Sequence, residues 1–297
     1  MPLRTTLKKN PMKRQKSFQN DLTSLYLVAT PIGNLNEMTP RAVEVLKQVS
    51  VIACEDTRTT SVLLKHYGIE TKVISHHNYN EKESAKGILS LLESGQDVAL
   101  VSDAGYPLIS DPGYILVQEV IDAGYNVIPI SGSSAALNAL VASGLITQPF
   151  IFYGFLPNTD KDFNQTVNQL KAYPYTLIFY EAPHRIQKTI AKLIPILGDR
   201  KAVLAREITK KFEEFLRGTL SELGDIEDEL KGEMVLVVEG NVEEKPEIVD
   251  LTEINERIQA YVDGGISASE AIKQVAKEVG LNKHEIYNAY HNKGEIN

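Results

Sequence analysis

Cysteine occurs once in the 297 residues, at Cys54, which excludes a disulfide framework and any metal site built from several thiolates. No run of about 18 apolar residues is present, so no transmembrane helix is expected. No strand is followed by G-x-G-x-x-G, and G-x-x-x-x-G-K-[ST] is missing, so a dinucleotide or Walker-type phosphate site lacks support. H-E-x-x-H and Cys/His clusters are also absent. His76 and His77 are adjacent and point apart on a strand, so no metal is expected. Basic residues are outnumbered, 31 against 39, for a net charge of −8. That argues against a protein that coats nucleic acid by bulk electrostatics.

The charge is uneven. Residues 1–20 hold Arg4, Lys8, Lys9, Lys13, Arg14 and Lys16 and no acid. With +6 there, the rest of the chain carries −14, the difference from −8. This segment has no apolar centre of the signal-peptide kind, and a cytoplasmic location is expected. Residues 1–20 read as a disordered leader, a start misplaced ahead of Met12, or an arm that contacts RNA. Hydrophobic residues make up 43% and charged residues 24%, which is ordinary globular composition. The length suits about two domains at ~150 residues each.

Between Leu25 and Ser131, short apolar runs alternate with helical segments. Strands are expected at Leu25–Thr30, Val49–Glu55, Lys72–Ser75, Asp97–Asp103 and Asn126–Ser131. Helices are expected to start at Thr39-Pro40, Thr57, Asn80, Asp111-Pro112 and Ser133. This rhythm implies a parallel sheet with helices on both faces. The second half has consecutive strands at Lys201–Glu207, Glu213–Gly218 and Glu233–Glu239, so a mixed sheet is expected, with helices at Asp160–Ala172, His184–Leu197 and Leu220–Leu230. An acidic linker at 241–250 leads to helices at Leu251–Val262, Ser267–Val279 and Asn282–Tyr290. The expected division is a leader at 1–20, α/β domains at 21–145 and 146–242, and a helical appendage at 251–293.

Ligands of doubly wound sheets bind beyond the C-terminal ends of the strands. The segments there are Thr30–Leu35, Glu55–Arg58, Ser102–Gly113 and Ser131–Ala135. Each is rich in glycine, proline or small polar residues that let a ligand approach the backbone. Any one of them reads equally well as a tight turn.

Seven ordered segments resemble one family: Thr30–Leu35, Glu55–Arg58, Asp103–Gly105 through Ser110–Gly113, Phe152–Pro157, Tyr180–Arg185, Arg206–Lys210 and Gly232–Val237. The family is the ribosomal RNA small subunit methyltransferase I group of the tetrapyrrole-methylase-like class, and the likeness covers about residues 24–240. It implies two α/β domains of the class III methyltransferase type plus a small helical domain. It also implies S-adenosylmethionine (SAM) as cofactor. The implied reaction is 2′-O-methylation of a cytidine in the decoding P site of 16S rRNA, within the 30S subunit, by a homodimer with no membrane or DNA partner. By motif, the SAM contacts are Pro31, Asp103, Gly105, Ile109, Ser134 and Ala135, with Phe155, Leu156 and Ala205 lining the cleft from the other side. The chain departs from the family at Tyr106, where threonine is usual, and at Ser131-Gly132-Ser133, where Pro-Gly-Pro is usual.

Transfer to a ribose hydroxyl needs alignment, and gains from a base or a cation near the developing alkoxide. Residues expected at the cleft are Glu55, Asp56, Arg58, Glu81, Glu181, His184 and Arg185. Arg185 suits an oxyanion through its planar fork. Glu181 or His184 is the expected base. Glu181 and Arg185 also read as an i, i+4 pair that steadies a helix start. Residues 181–217 hold nine basic and five acidic residues, a local +4, and so form a candidate phosphate track. Arg58, Glu81, Arg185, Lys188 and Lys210 are the expected RNA contacts. Two rival readings remain: a methylase of a tetrapyrrole or modified protein side chain, and a non-catalytic ribosome-binding factor.

Overall fold

The computed structural model describes residues 12–77, 80–226, 230–241 and 251–279, together with Lys283, Ile286, Tyr287 and Tyr290. The expected linker at 242–250, most of the expected Asn282–Tyr290 helix, and residues 1–11 of the leader lie outside the described residues. The chain divides after Gly240 into two compact units.

The first unit holds two five-stranded sheets. In the first sheet, β1 (Ser24–Val28), β2 (Val51–Cys54), β3 (Lys72–Ser75), β4 (Val98–Val101) and β5 (Asn126–Ile130) run parallel in the order β3-β2-β4-β1-β5. β2 and β4 are buried along their whole length, which is why they read as continuous apolar runs. α1 (Pro40–Gln48) and α2 (Thr57–His66) cover one face, where Leu46, Ile52 and Ile130 meet. α3 (Glu81–Glu93) and α4 (Tyr114–Ala123) cover the other, around Ile88, Leu100 and Leu116.

The second sheet is mixed, as expected. β6 (Phe150–Phe155), β7 (Thr176–Glu181), β8 (Lys201–Arg206), β9 (Glu214–Thr219) and β10 (Met234–Val238) lie in the order β6-β7-β10-β8-β9. Only β6 and β7 are parallel. α6 (Asp160–Leu170), α7 (Ile186–Leu197) and α8 (Leu220–Gly224) pack on its outer face around Phe163, Phe179 and Leu204.

The inner face of this sheet receives α5 (Ala135–Ser143), which follows β5 of the first sheet. Ala136, Ala139 and Leu140 of α5, with Ile32, form one cluster with Ile178, Val203, Ala205, Val235 and Val237. Small residues on this helix let its backbone come close to the strands.

Several details differ from the sequence-based expectation. Residues 12–20 do not behave as a disordered leader. The side-chain amide of Gln15 exchanges two hydrogen bonds with the backbone of Val127, each 2.9 Å, and Lys13 pairs with Asp122 at 2.8 Å. Asp111-Pro112 does not start α4. Gly113 stands at its cap, and the carboxylate of Glu81 accepts the Gly113 and Ile115 N–H groups at 2.9 and 3.4 Å. The capping oxygen thus comes from α3, a tertiary contact that local spacing does not reveal. α8 ends at Gly224, short of the expected Leu230.

The second unit contains α9 (Leu251–Asp263) and α10 (Ala268–Val279). Ile254, Ile258, Ala271, Ile272 and Val275 form its core together with Ile286.

If α5 locks the sheets together, Leu140→Ala should cost about 2–5 kcal/mol, the usual range for emptying a core leucine site. Val141→Ala on the exposed side of the same helix should cost less than about 0.5 kcal/mol. Urea unfolding of the two variants compares them, and equal costs would show that the interface is not a shared core.

Candidate active site

The loops after β1, β4 and β5 are stitched together. Thr30 and Gly105 exchange backbone hydrogen bonds at 2.8 and 3.1 Å, an isolated bridge beyond the strand ends. The Thr30 hydroxyl donates to the Ser102 carbonyl at 3.1 Å, and the Ser102 hydroxyl donates to the Gly105 carbonyl at 3.0 Å. Tyr106 accepts the Gly132 N–H on its hydroxyl at 3.1 Å. Ser133 donates to Glu37 at 3.2 Å, and Thr39 donates to the Ser131 carbonyl at 3.3 Å. The two departures from the family pattern therefore meet each other. The tyrosine hydroxyl ties down the very loop that lacks the prolines. A Cβ on Gly132 would stand 2.8 Å from that of Ala29, so this loop lies directly against the end of β1.

The second sheet closes on these loops at two points. A bulge at Tyr153 shifts the β6 register, and the backbone at Gly154 then lies beside the Ser110 hydroxyl of the β4 loop. On the other side, the Lys210 stem lies over Gly33, where any Cβ would collide with it at 2.4 Å. Lys210 comes from the turn between β8 and β9. Leu108, Ser110, Glu207 and Thr209 all have left-handed backbones, at φ 72°, 71°, 52° and 69°. Non-glycine residues in that region cost of order 1–3 kcal/mol each, and such strain clusters at ligand sites.

The edge of the first sheet is negative. Burial raises Asp111 to about 6, helped by the charges of Glu55 and Asp103. Partial burial also raises Asp103, against a backbone hydrogen bond from Asp56 that lowers it. Asp56 itself is pulled down to about 2, chiefly by its side-chain bond to Arg58. Across the gap, Tyr180 is raised by burial and then by Asp111 and Glu233, so the β4 loop and β7 face one another. Asp111 lies in the Ser102–Gly113 loop and in a family motif, yet it is absent from the expected SAM contacts. Its place in this edge depends on Asp103 in the same loop and on Glu55, which is far from it in sequence.

The expected site residues fall into distinct settings. Asp103, Ile109 and Phe155 are exposed, Ala135 is half-buried, and Pro31 and Gly105 are buried within the loops. Ser134 accepts the Leu137 N–H as the cap of α5. Two cleft assignments need correction. Leu156 turns its side chain into the outer core beside Phe163, and Ala205 is fully buried beneath α5. Neither side chain lines an open cleft, because strand alternation places Leu156 on the far face and α5 covers Ala205.

Glu181 is buried and fully engaged. It accepts from the Ala182 N–H at 2.8 Å, the Thr189 hydroxyl at 2.6 Å and Arg185 Nε at 3.3 Å. That satisfies a buried carboxylate and leaves it ill placed to take a proton from a substrate. Arg185 also donates to the Leu156 carbonyl at 3.3 Å, so its guanidinium is held by two anchors with donors to spare. His184 and Lys188 are exposed. Lys210 bonds Glu207 and Glu233, each at 3.0 Å, and these bonds outweigh its burial and raise its pKa. Arg58 lies against Asp56, with bonds at 3.1 and 2.8 Å. Glu81 is occupied at the start of α4. Lys210 and Glu81 are thus both held by contacts within the fold. Among the described residues, no group of three His, Cys, Asp or Glu is placed to hold a metal ion. No described helix is long and apolar enough to cross a membrane.

Two solved structures share this architecture. A crystal structure of diphthine synthase matches with a TM-score of 0.59 at 16% identity, covering 74% of this chain and 91% of that one. A cobalamin biosynthetic enzyme, cobalt precorrin-4 methyltransferase, matches at 0.53 and 18%, covering 72% and 94%. Residues 24–224 match the family described as Tetrapyrrole (Corrin/Porphyrin) Methylases, which defines the class. Within that class, the chain is similar over nearly its whole length to proteins named ribosomal RNA small subunit methyltransferase I. Identity is 46% to that of Bacillus subtilis (strain 168) and 48% to that of Halalkalibacterium halodurans, each covering 94% of this chain and 99% of the relative. It is 42% to that of Escherichia coli O157:H7, covering 93% and 97%. The chain belongs to the tetrapyrrole methylase family, in its ribosomal RNA small subunit methyltransferase I group.

Two expectations follow from this geometry. The folded protein keeps the Asp111 proton between pH 3.8 and about 6, where the unfolded chain releases it. Ionised Asp111 therefore costs stability above pH 6, and that cost disappears near pH 4. Asp111→Asn should melt higher than the parent at pH 8 and with it at pH 4, and a gap independent of pH would refute the assignment. Tyr106→Phe leaves the Gly132 N–H without its partner, at a cost of about 1 kcal/mol. Calorimetry should then show SAM binding weakened by roughly fivefold, whereas unchanged affinity would detach this clasp from the cofactor.

Proposed function

We propose that this chain transfers the methyl group of SAM to the 2′-hydroxyl of a cytidine in the decoding P site of 16S rRNA, cytidine 1402 in standard rRNA numbering. The observation that carries the reading is its near-full-length similarity to proteins named ribosomal RNA small subunit methyltransferase I. The strap of stitched loops facing the second sheet supports it. The substrate is 16S rRNA within the 30S subunit, and the site of action is the cytoplasm. Residues 21–145 and 146–242 act as two lobes, with 251–293 as an appendage. A homodimer suits the exposed Leu137, Val141 and Ile146.

The residues present fit a cationic cofactor. SAM carries a sulfonium and an ammonium, and the first-sheet edge holds the charges of Glu55 and Asp103 close enough to Asp111 to add to the rise that burial gives its pKa. Pro31, Asp103, Gly105, Ile109, Ser134 and Ala135 would hold it on this side. Phe155 would meet it by side chain, and Leu156 and Ala205 by backbone alone. Bound there, SAM supplies an already activated methyl group for in-line displacement.

The chain's own task is then alignment and charge. Arg185, steadied by Glu181 and the Leu156 carbonyl, presents a cation to the developing alkoxide or a neighbouring phosphate. The Glu181–Arg185 pair is structural in itself and makes the arginine's placement possible. With Glu181 saturated, the proton-accepting role falls to exposed His184. Lys188 and Arg58 lie at the surface for RNA phosphate.

Incubation with methyl-labelled SAM and 30S subunits, free 16S rRNA or a corrinoid precursor tests the reading. Label should appear in 2′-O-methylcytidine, and label in the corrinoid alone would replace this substrate. Arg185→Ala should slow transfer by about 100-fold or more, and His184→Ala by a similar factor. SAM affinity should hold in both. Near-normal turnover by either variant would remove that residue from its role.

A further inference from the structure

A pocket lies between the β8–β9 turn and the start of β10, lined by none of the proposed SAM contacts. Its volume is about 390 Å³, and it is lined by Arg206, Glu207, Phe212, Lys231 and Gly232. That volume falls in the range of small-molecule sites, about 300–1,000 Å³. We propose that it receives an RNA base next to the methylated ribose, stacked on Phe212 and held by Arg206 and Glu207. This rests on the reading of the chain as an rRNA methyltransferase.

Phe212 is 67% exposed, in a turn whose other hydrophobic residue, Ile208, is buried. A large ring left in water beside two cations suits a base, because every base offers a π-face to an aromatic platform. The Lys211 ammonium lies 5.6 Å from the ring centre. Arg206 is held flat, ion-paired through Nε to Glu214 and donating to the Lys231 carbonyl at 3.3 Å. A fixed guanidinium of this kind offers both a stacking plane and N–H donors.

Glu207 supplies the opposite chemistry. Its Oε1 accepts the Glu233 N–H at 3.2 Å and the Lys210 ammonium at 3.0 Å, which fixes the carboxylate at the wall. Position 232 favours glycine, since its backbone is left-handed at φ 86° and a Cβ there would sit 2.1 Å from that oxygen. A carboxylate is the natural acceptor for an exocyclic amine, and a guanidinium is the natural donor to base or phosphate oxygens. An apolar peptide would need neither.

Position supplies the link to the reaction. Lys210 stands between Glu207 and Phe212 in the same turn, and its stem rests on Gly33 in the loop after β1. The pocket and the proposed cofactor edge are thus joined by one residue. A nucleotide flanking the target is the part of the substrate that would reach it.

The test uses the full-length protein with 30S subunits and methyl-labelled SAM, comparing the parent with Phe212→Ala, Phe212→Leu and Phe212→Trp. Stacking is worth about 1–3 kcal/mol per base, so Phe212→Ala and Phe212→Leu should raise KM for 30S subunits about 5- to 150-fold. kcat and SAM affinity should hold, as expected when uniform binding is lost. Phe212→Trp should restore KM. Unchanged KM in the alanine variant, or a leucine variant equal to the parent, would overturn the proposal. So would a fall in mass by light scattering with Phe212→Ala, which would make a second copy of the chain the occupant. A parent enzyme that labels no RNA would overturn the rRNA reading and this inference together. A parent that labels RNA with indifferent variants would sink this inference alone.

Discussion

The packing of α5 on the inner face of the second sheet is the constraint from which the rest of the structure follows. This helix emerges from the first sheet at Ile130 and buries Ala136, Ala139 and Leu140 among strand residues of the second. Two sheets of different topology thereby share one core, and the loops at the end of the first are held facing β6, β7 and the β8–β9 turn. The alanines matter as much as the leucine. Larger side chains would push the helix off the strands and open the gap between the Ser110 hydroxyl and Gly154. Cleft width is thus set by the packing of apolar side chains, while the chemistry is left to the loops.

Much of the fold could be read from the chain alone. β2 and β4 stand where their apolar runs do, because strands buried on both faces leave no polar alternation to confuse with a helix. The change to a mixed sheet was visible in consecutive strands without an intervening helix. What stayed hidden was tertiary. The start of α4 depends on a carboxylate from α3, so the local Asp-Pro signal pointed two residues too early. Gln15 reads as part of a polar leader, yet it docks because the outer edge of β5 has backbone groups to satisfy.

The site was legible as loops and less so as side chains. The segments beyond the strand ends that the sequence singled out are the loops stitched together in the structure. The negative edge arises where Glu55 meets Asp103 and Asp111 in space, and no spacing rule connects it to that loop. Leu156 and Lys210 show the same limit in reverse. Both sit in family motifs, but one faces the core and the other is bound between two glutamates. A motif marks a segment and not the direction of each side chain within it.

The amide of Gln15 has a wider consequence. It offers Val127 one donor and one acceptor, the pair that a neighbouring strand would offer. A single side chain thus imitates a sixth strand for the length of one residue. An exposed parallel edge is a standing invitation to intermolecular sheet growth, and here the chain answers it from its own N-terminal segment. Residues 12–20 thus dock where an edge strand would otherwise leave backbone groups open.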